Sequence, residues 1–175
     1  MTPSLTPEEI EEFRALAAPV LAHPVVRHMD AFVQHGQTSC LAHCVAVAWV
    51  SFALYKRRGL HGQEAELVRG ALLHDFFLYD WHEPGHGCLH GFTHPIRAAR
   101  NAERYFALDP VEREIIRKHM WPLTVIPPHS RAALIVSLAD KRCTTAEMHG
   151  DDHRDILAAC GLLPGAAPQT GAQNL

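Results

Sequence analysis

The chain has 175 residues, close to half of them apolar, which fits one folded domain with a real core. Its formal net charge is −3, and its one short basic cluster, Lys56-Arg57-Arg58, falls at a predicted helix end, where it complements the helix dipole. That balance excludes a nucleic-acid-binding footprint, which needs a concentrated basic face.

Helical signals dominate from the start. Thr6-Pro7-Glu8-Glu9 combines a capping Thr, a first-turn Pro and a Glu at the capping-box position, and predicts a helix to about residue 19. A second helix is expected after Thr38-Ser39, ending near Gly59, and a third from about residue 63 into His74-Asp75. Residues 76–93 read as an irregular, His-rich loop of the kind that often carries function. Thr93 is then expected to cap a helix through Phe106. Asp109-Pro110-Val111-Glu112 repeats the cap, Pro, Glu pattern and predicts a helix to about residue 119. Trp121-Pro122 ends it, and Pro127-Pro128 marks a rigid connector. Ser130 starts a helix through Met148, and a short last helix covers 154–160. Residues 164–175, rich in Gly, Ala, Pro and Gln, have little to bury and are expected to be disordered. No segment alternates at period two. The expected fold is therefore all-α, a single compact helical bundle over residues 1–163 with no second domain.

The most apolar run, residues 41–54, is too short for a membrane span and contains His43. Residues 1–12 are polar and acidic, unlike a secretory signal. These features predict a cytoplasmic protein with no membrane partner. The five cysteines form no C-x-x-C pair, so free and mostly buried thiols are expected. Cys40 and Cys44 lie four apart and read as small core residues, with a metal-binding role as the lesser alternative. The 14 histidines are several times a usual complement, and histidine is both the commonest metal ligand and an acid/base near neutral pH.

Several of these polar residues occupy positions that should be apolar. His43 lies among Cys40, Ala46, Val47 and Val50; His119 follows the face of Ile115 and Ile116; His74-Asp75 ends the run Ala71-Leu72-Leu73. Asp140 sits in an apolar helix among Val136, Ser137, Cys143 and Thr144, and His94 opens the helix after the His-rich loop. Alone, each is readily a hydrogen-bonded core residue or a cap. Together, inward histidines and carboxylates on separate helices are costly to bury unless they share a cation.

The order His43, His74-Asp75, Asp140 resembles the H…HD…D signature of the HD-domain superfamily of metal-dependent phosphohydrolases. The likeness extends over about residues 34–147. It includes Thr38-Ser39 before His43, Leu72-Leu73 before the dipeptide, and Ala139-Asp140-Lys141. His94 and His119 extend it to the six-residue order of HD proteins with two metals. The segments His74–His82 and Lys118–Thr124 resemble those of a group of small bacterial HD proteins. The resemblance implies one metal held by His43, His74, Asp75 and Asp140, and a second held by His94 and His119 with Asp75 bridging. The cofactor would be one or two divalent ions, with Fe, Mn, Co or Ni suiting the mixed nitrogen and oxygen donors. The implied activity is hydrolysis of a small phosphorylated metabolite or nucleotide through metal-bound hydroxide.

Other HD subfamilies fit less well. Phe76-Phe77 replaces the Ile-Gly of the HDIG group, no Gly-Tyr-Pro motif is present, and Asp80 falls one place late for the Glu-Asp pair of alarmone hydrolases. His90 is a candidate for protonating the leaving group or binding phosphate, with an exposed loop position as the alternative. Lys141 is implied as a phosphate contact, and Asp75 counts among the catalytic residues. His82, His86 and Arg97 are candidates for substrate binding, and Trp121 for a wall of the site. Two other readings stand beside hydrolysis: a diiron oxygenase of the inositol-oxygenase-like HD type, and a non-catalytic, metal-stabilised regulatory module.

Overall fold

The computed structural model describes residues 4–83 and 89–163, and the architecture is all-α apart from one small hairpin. Helix α1 (Pro7–Leu21) starts on the predicted capping box: Thr6 Oγ1 accepts from the Glu9 N–H, and Glu9 Oε2 from the Thr6 N–H at 2.9 Å. It runs through Pro19 to Leu21, slightly longer than expected. A short helix α2 (Pro24–Arg27) and a 3₁₀ turn (His28–Ala31) follow. Strands β1 (Val33–His35) and β2 (Thr38–Ser39) then pair antiparallel around Gly36, whose φ of +58° suits glycine. The sequence predicted no strand; strands of two and three residues are too short to show alternation.

Helix α3 (Cys40–Arg57) is the centre of the bundle. It is apolar on nearly every face, as a helix enclosed by others must be, and it packs on α4 (Glu64–Leu73) and α7 (Arg131–Met148). Ser39 caps its start and Gly59, at φ +62°, lies just past its end. Phe13 of α1 sits edge-on to Trp49 and tilted against Phe52 of α3, tying α1 to the core. Helix α6 (Pro110–Lys118) has the predicted Asp109–Glu112 capping box and lies between α4 and α7. Gly70 permits that approach: a Cβ there would meet Ile115 Cδ1 at 2.7 Å.

Helix α5 (His90–Tyr105) corrects another expectation. It begins three residues before Thr93, which is therefore not a cap; its hydroxyl donates back to the Leu89 carbonyl within the first turn. That back-bond is available to a Thr inside a helix as well as at its end, so the residue type alone misleads. Helix α8 (Arg154–Ala159) closes against α3. Among the described residues, no helix is long and apolar enough to cross a membrane.

Candidate metal centre

The six residues of the predicted cluster come from five elements and meet in the interior. His43 lies one turn into α3, His74 and Asp75 follow α4, His94 is in the first turns of α5, His119 ends α6, and Asp140 is midway along α7. All six are buried. The helix ends explain part of this placement: His74 and His119 occupy C-cap positions, where the chain leaves the helix cylinder and the ring can turn inward.

Every ring is oriented by what stands behind it. His74 Nδ1 lies 2.7 Å from the Ala71 carbonyl, His94 Nδ1 2.9 Å from the His90 carbonyl, and His119 Nδ1 2.9 Å from the Ile116 carbonyl. His43 Nδ1 lies 2.8 Å from Glu147 Oε1. A carbonyl or carboxylate can only accept, so each Nδ1 is the protonated, donating nitrogen. That leaves four Nε2 atoms converging on one volume. His43 Nε2 is 3.3 Å and His74 Nε2 3.8 Å from Asp140 Oδ1. His94 and His119 Nε2 are 3.1 and 3.4 Å from Asp75 Oδ1, and 2.8 Å from each other. His74 Nε2 is buried without a hydrogen bond, its nearest carboxylate oxygen being Asp75 Oδ2 at 3.4 Å.

Two neutral imidazoles with their protons committed elsewhere would point lone pairs at each other across 2.8 Å. A proton on one Nε2, or a cation bound by both, relieves that repulsion. The rest of the inner surface sets imidazole nitrogens against carboxylate oxygens, groups that bind protons or a shared cation. Donors that each lie ~2.0–2.2 Å from a shared ion are roughly 3–4 Å apart, the separations found here. The geometry groups His43, His74 and Asp140, and also His74, Asp75 and His119, as sets able to hold an ion.

Protonation follows the same logic. Burial opposes charge on His43, yet its bonds to Asp140 and Glu147 prevail and hold its pKa well above the imidazole range. His74 is raised likewise, burial being outweighed by the charge of Asp75. Burial pushes His119 the other way, to a lowered pKa, against its bond to Asp75. Asp75 and Asp140 both fall well below the carboxylate range: burial is overcome by the neighbouring His74 and His94 for Asp75, and by the neighbouring His43 and His74 for Asp140.

The cluster opens into a cavity of about 860 Å³ whose walls include Trp81, Met120, Pro122 and Leu123. His90 and Lys141 line this cavity. His90 Nδ1 is 2.9 Å from the Tyr79 hydroxyl, and its ring is stacked between Trp81 and His94, with centroids at 5.1 and 4.6 Å. Lys141 has a second commitment: Nζ donates to the His119 carbonyl at 2.6 Å, satisfying the end of α6. The other expected contacts lie elsewhere. Arg97 is exposed and sits over the outer face of the Tyr79 ring at 5.1 Å, so it does not line the cavity. His82 is half-exposed, bonded to Asp80 and laid over Trp81. His86 lies outside the described residues. Pro122 and Leu123, rather than Trp121, form the wall.

Cys40 and Cys44 are packed behind the site: Cys40 Sγ donates to the Asp75 carbonyl at 3.3 Å, and Cys44 Sγ lies 3.7 Å from His74 Nδ1. Neither belongs to the ion-holding sets. Sequence reasoning missed Gln34, which donates to Asp75 Oδ2 at 2.6 Å, and Tyr79. It also missed Glu147 and His153, which lie behind His43. Burial opposes ionisation of Glu147, but bonds from His153 and His43 hold its pKa down at about 2. The one available signal was spacing, since Glu147 is two turns beyond Asp140 and shares its helix face.

No protein-family model, curated protein or solved structure matches this chain.

Proposed function

We propose that the chain is an HD-type, metal-dependent phosphohydrolase acting on a small phosphorylated metabolite or nucleotide. One observation carries this reading: four imidazole Nε2 atoms and two carboxylates converge in the interior with their other polar atoms already committed. His43, His74, Asp75 and Asp140 would hold one ion, and His94 and His119, sharing Asp75, a second. Four nitrogen and two carboxylate donors suit Fe, Mn, Co or Ni. Such ions supply Lewis acidity toward a phosphoryl oxygen and lower the pKa of water.

The chain's own residues supply the rest. Gln34 holds Asp75 Oδ2, leaving Oδ1 turned toward His94 and His119. Were the Tyr79 hydroxyl to donate to His90 Nδ1, the His90 proton would sit on Nε2, available to the departing oxygen of a phosphoester. Trp81, Met120 and Leu123 keep that side of the cavity apolar, and the remainder of the substrate would lie against them.

The test is metal content followed by turnover. Protein reconstituted with Mn, Fe or Co should release phosphate from members of a broad phosphoester panel. No uptake of any divalent ion, or no turnover across the panel by loaded protein, overturns the reading. The nitrogen-rich His94–His119 pair also suits iron and favours a second reading, a two-iron oxygenase on the same donors. Dioxygen consumption that requires reduced iron and stops with Mn or Co would put that reading first.

A further inference from the structure

Glu147 is a buried acid that the proposed hydrolysis does not use. Its side chain is wholly enclosed, on α7 two turns beyond Asp140. Both of its oxygens approach His43 Nδ1, at 2.8 and 3.0 Å. His153 closes on it from behind, with Nε2 2.9 Å from Glu147 Oε1. His153 is itself held in an uncommon conformation, φ +55°, and its N–H donates to Asp151 Oδ1 at 2.9 Å. A non-glycine residue there carries a backbone penalty and persists where surrounding structure holds it. What this conformation achieves is the contact between His153 and Glu147.

The contrast with the other three rings is informative. His74, His94 and His119 are each oriented by a peptide carbonyl. Only His43 is backed by a full negative charge. A carboxylate accepting the Nδ1 proton fixes the tautomer and makes Nε2 a stronger donor to a cation. We propose that Glu147, braced by His153, is a positioning residue that orients His43 and strengthens its Nε2 as a ligand, so that this carboxylate sets the affinity of the ion held with His74 and Asp140. The proposal rests on the metal-site reading and extends it to residues outside the six-ligand order.

Glu147→Gln tests it, because the amide keeps the shape and one acceptor while removing the charge. His153→Gln tests the brace from the side away from the ion. Cobalt(II) is the probe, with affinity read by competition against a chelator and the ligand field by visible absorption. Stability of the ion-stripped protein is read by its melting temperature. For Glu147→Gln the expected result is an affinity loss of about 10–100-fold. The cobalt spectrum should shift, whatever change in melting temperature the stripped protein shows. His153→Gln should weaken binding in the same direction and by less. Wild-type cobalt affinity in either variant overturns the proposal. So does a loss of stripped-protein stability with cobalt affinity unchanged, which marks the triad as purely structural. Should Glu147→Gln fail to fold, the His153→Gln affinity decides. A wild-type protein that takes up no cobalt would instead overturn the metal-site reading itself.

Discussion

The two halves of the buried cluster are built differently. His43, His74 and Asp140 come from α3, α4 and α7, which pack directly on one another at the centre of the bundle. His94 and His119 come from the start of α5 and the end of α6, and α5 packs mainly on α6. The first half owns a carboxylate, Asp140, and has a second behind His43; the other half has only a share of Asp75 and two peptide carbonyls. Charge count and rigidity both favour the first half for a cation. Six ligands in one cavity thus need not be equivalent, and the packing behind each is what ranks them.

Removing the shared element should have the largest effect. Asp75→Asn is expected to empty both halves and reduce phosphoester turnover by about 1,000-fold or more, the scale of losing a metal's several kcal/mol of charge stabilisation. Elemental analysis and steady-state rates check it. Next, His94→Ala or His119→Ala should lower bound metal from two ions to one, whereas His43→Ala should release the more tightly held ion. Equal losses from the two halves would break the comparison.

A pH series sharpens it further. His43 and His74 have raised pKa values and His119 a lowered one, so protons compete with a cation mainly in the first half. Affinity there should fall as pH drops through the raised values, with protons released on binding. The sign for stability is opposite: in ion-free protein a raised histidine stabilises most below its unfolded pKa, and that contribution fades as pH rises through the folded one. Ion-free protein should therefore lose stability on the alkaline side, read as a melting temperature that ion loading restores. The smallest effect is Gly70→Ala. Its methyl would press on Ile115 between α4 and α6, the helices that deliver His74 and His119. A cost of about 1–3 kcal/mol is expected in a denaturant titration, with both halves weakened alike.

Much of this was legible in the sequence because local chemistry marks it. Asp109-Pro110-Val111-Glu112 announces its own helix start, and Ser130 and Met148 bound α7 as expected. His43, His74-Asp75, His119 and Asp140 stood out as polar groups on or ending apolar helix runs, whereas His94, at a helix opening, was marked by the resemblance. What remained hidden depends on partners far along the chain. Gln34 reaches Asp75 only because a short hairpin delivers it, and nothing in Thr144-Thr145-Ala146-Glu147 distinguishes a buried acid from a surface one. His153 needs its left-handed backbone to matter at all. Arg97, placed near the cavity by helical spacing from His94, instead turns outward onto Tyr79 because an aromatic face was available there.

The span of the cluster along the chain has a kinetic consequence. Its members run from position 43 to position 140 and belong to five separate elements. In linkage terms, an ion bound there by the folded chain alone would join segments spanning most of the domain and stabilise the fold by its binding free energy. His43 and His74 are wholly enclosed while Asp75, His94, His119 and Asp140 line the cavity, so an ion on the enclosed side would leave more slowly than one facing the cavity, a difference measurable by isotope exchange long before any substrate is known.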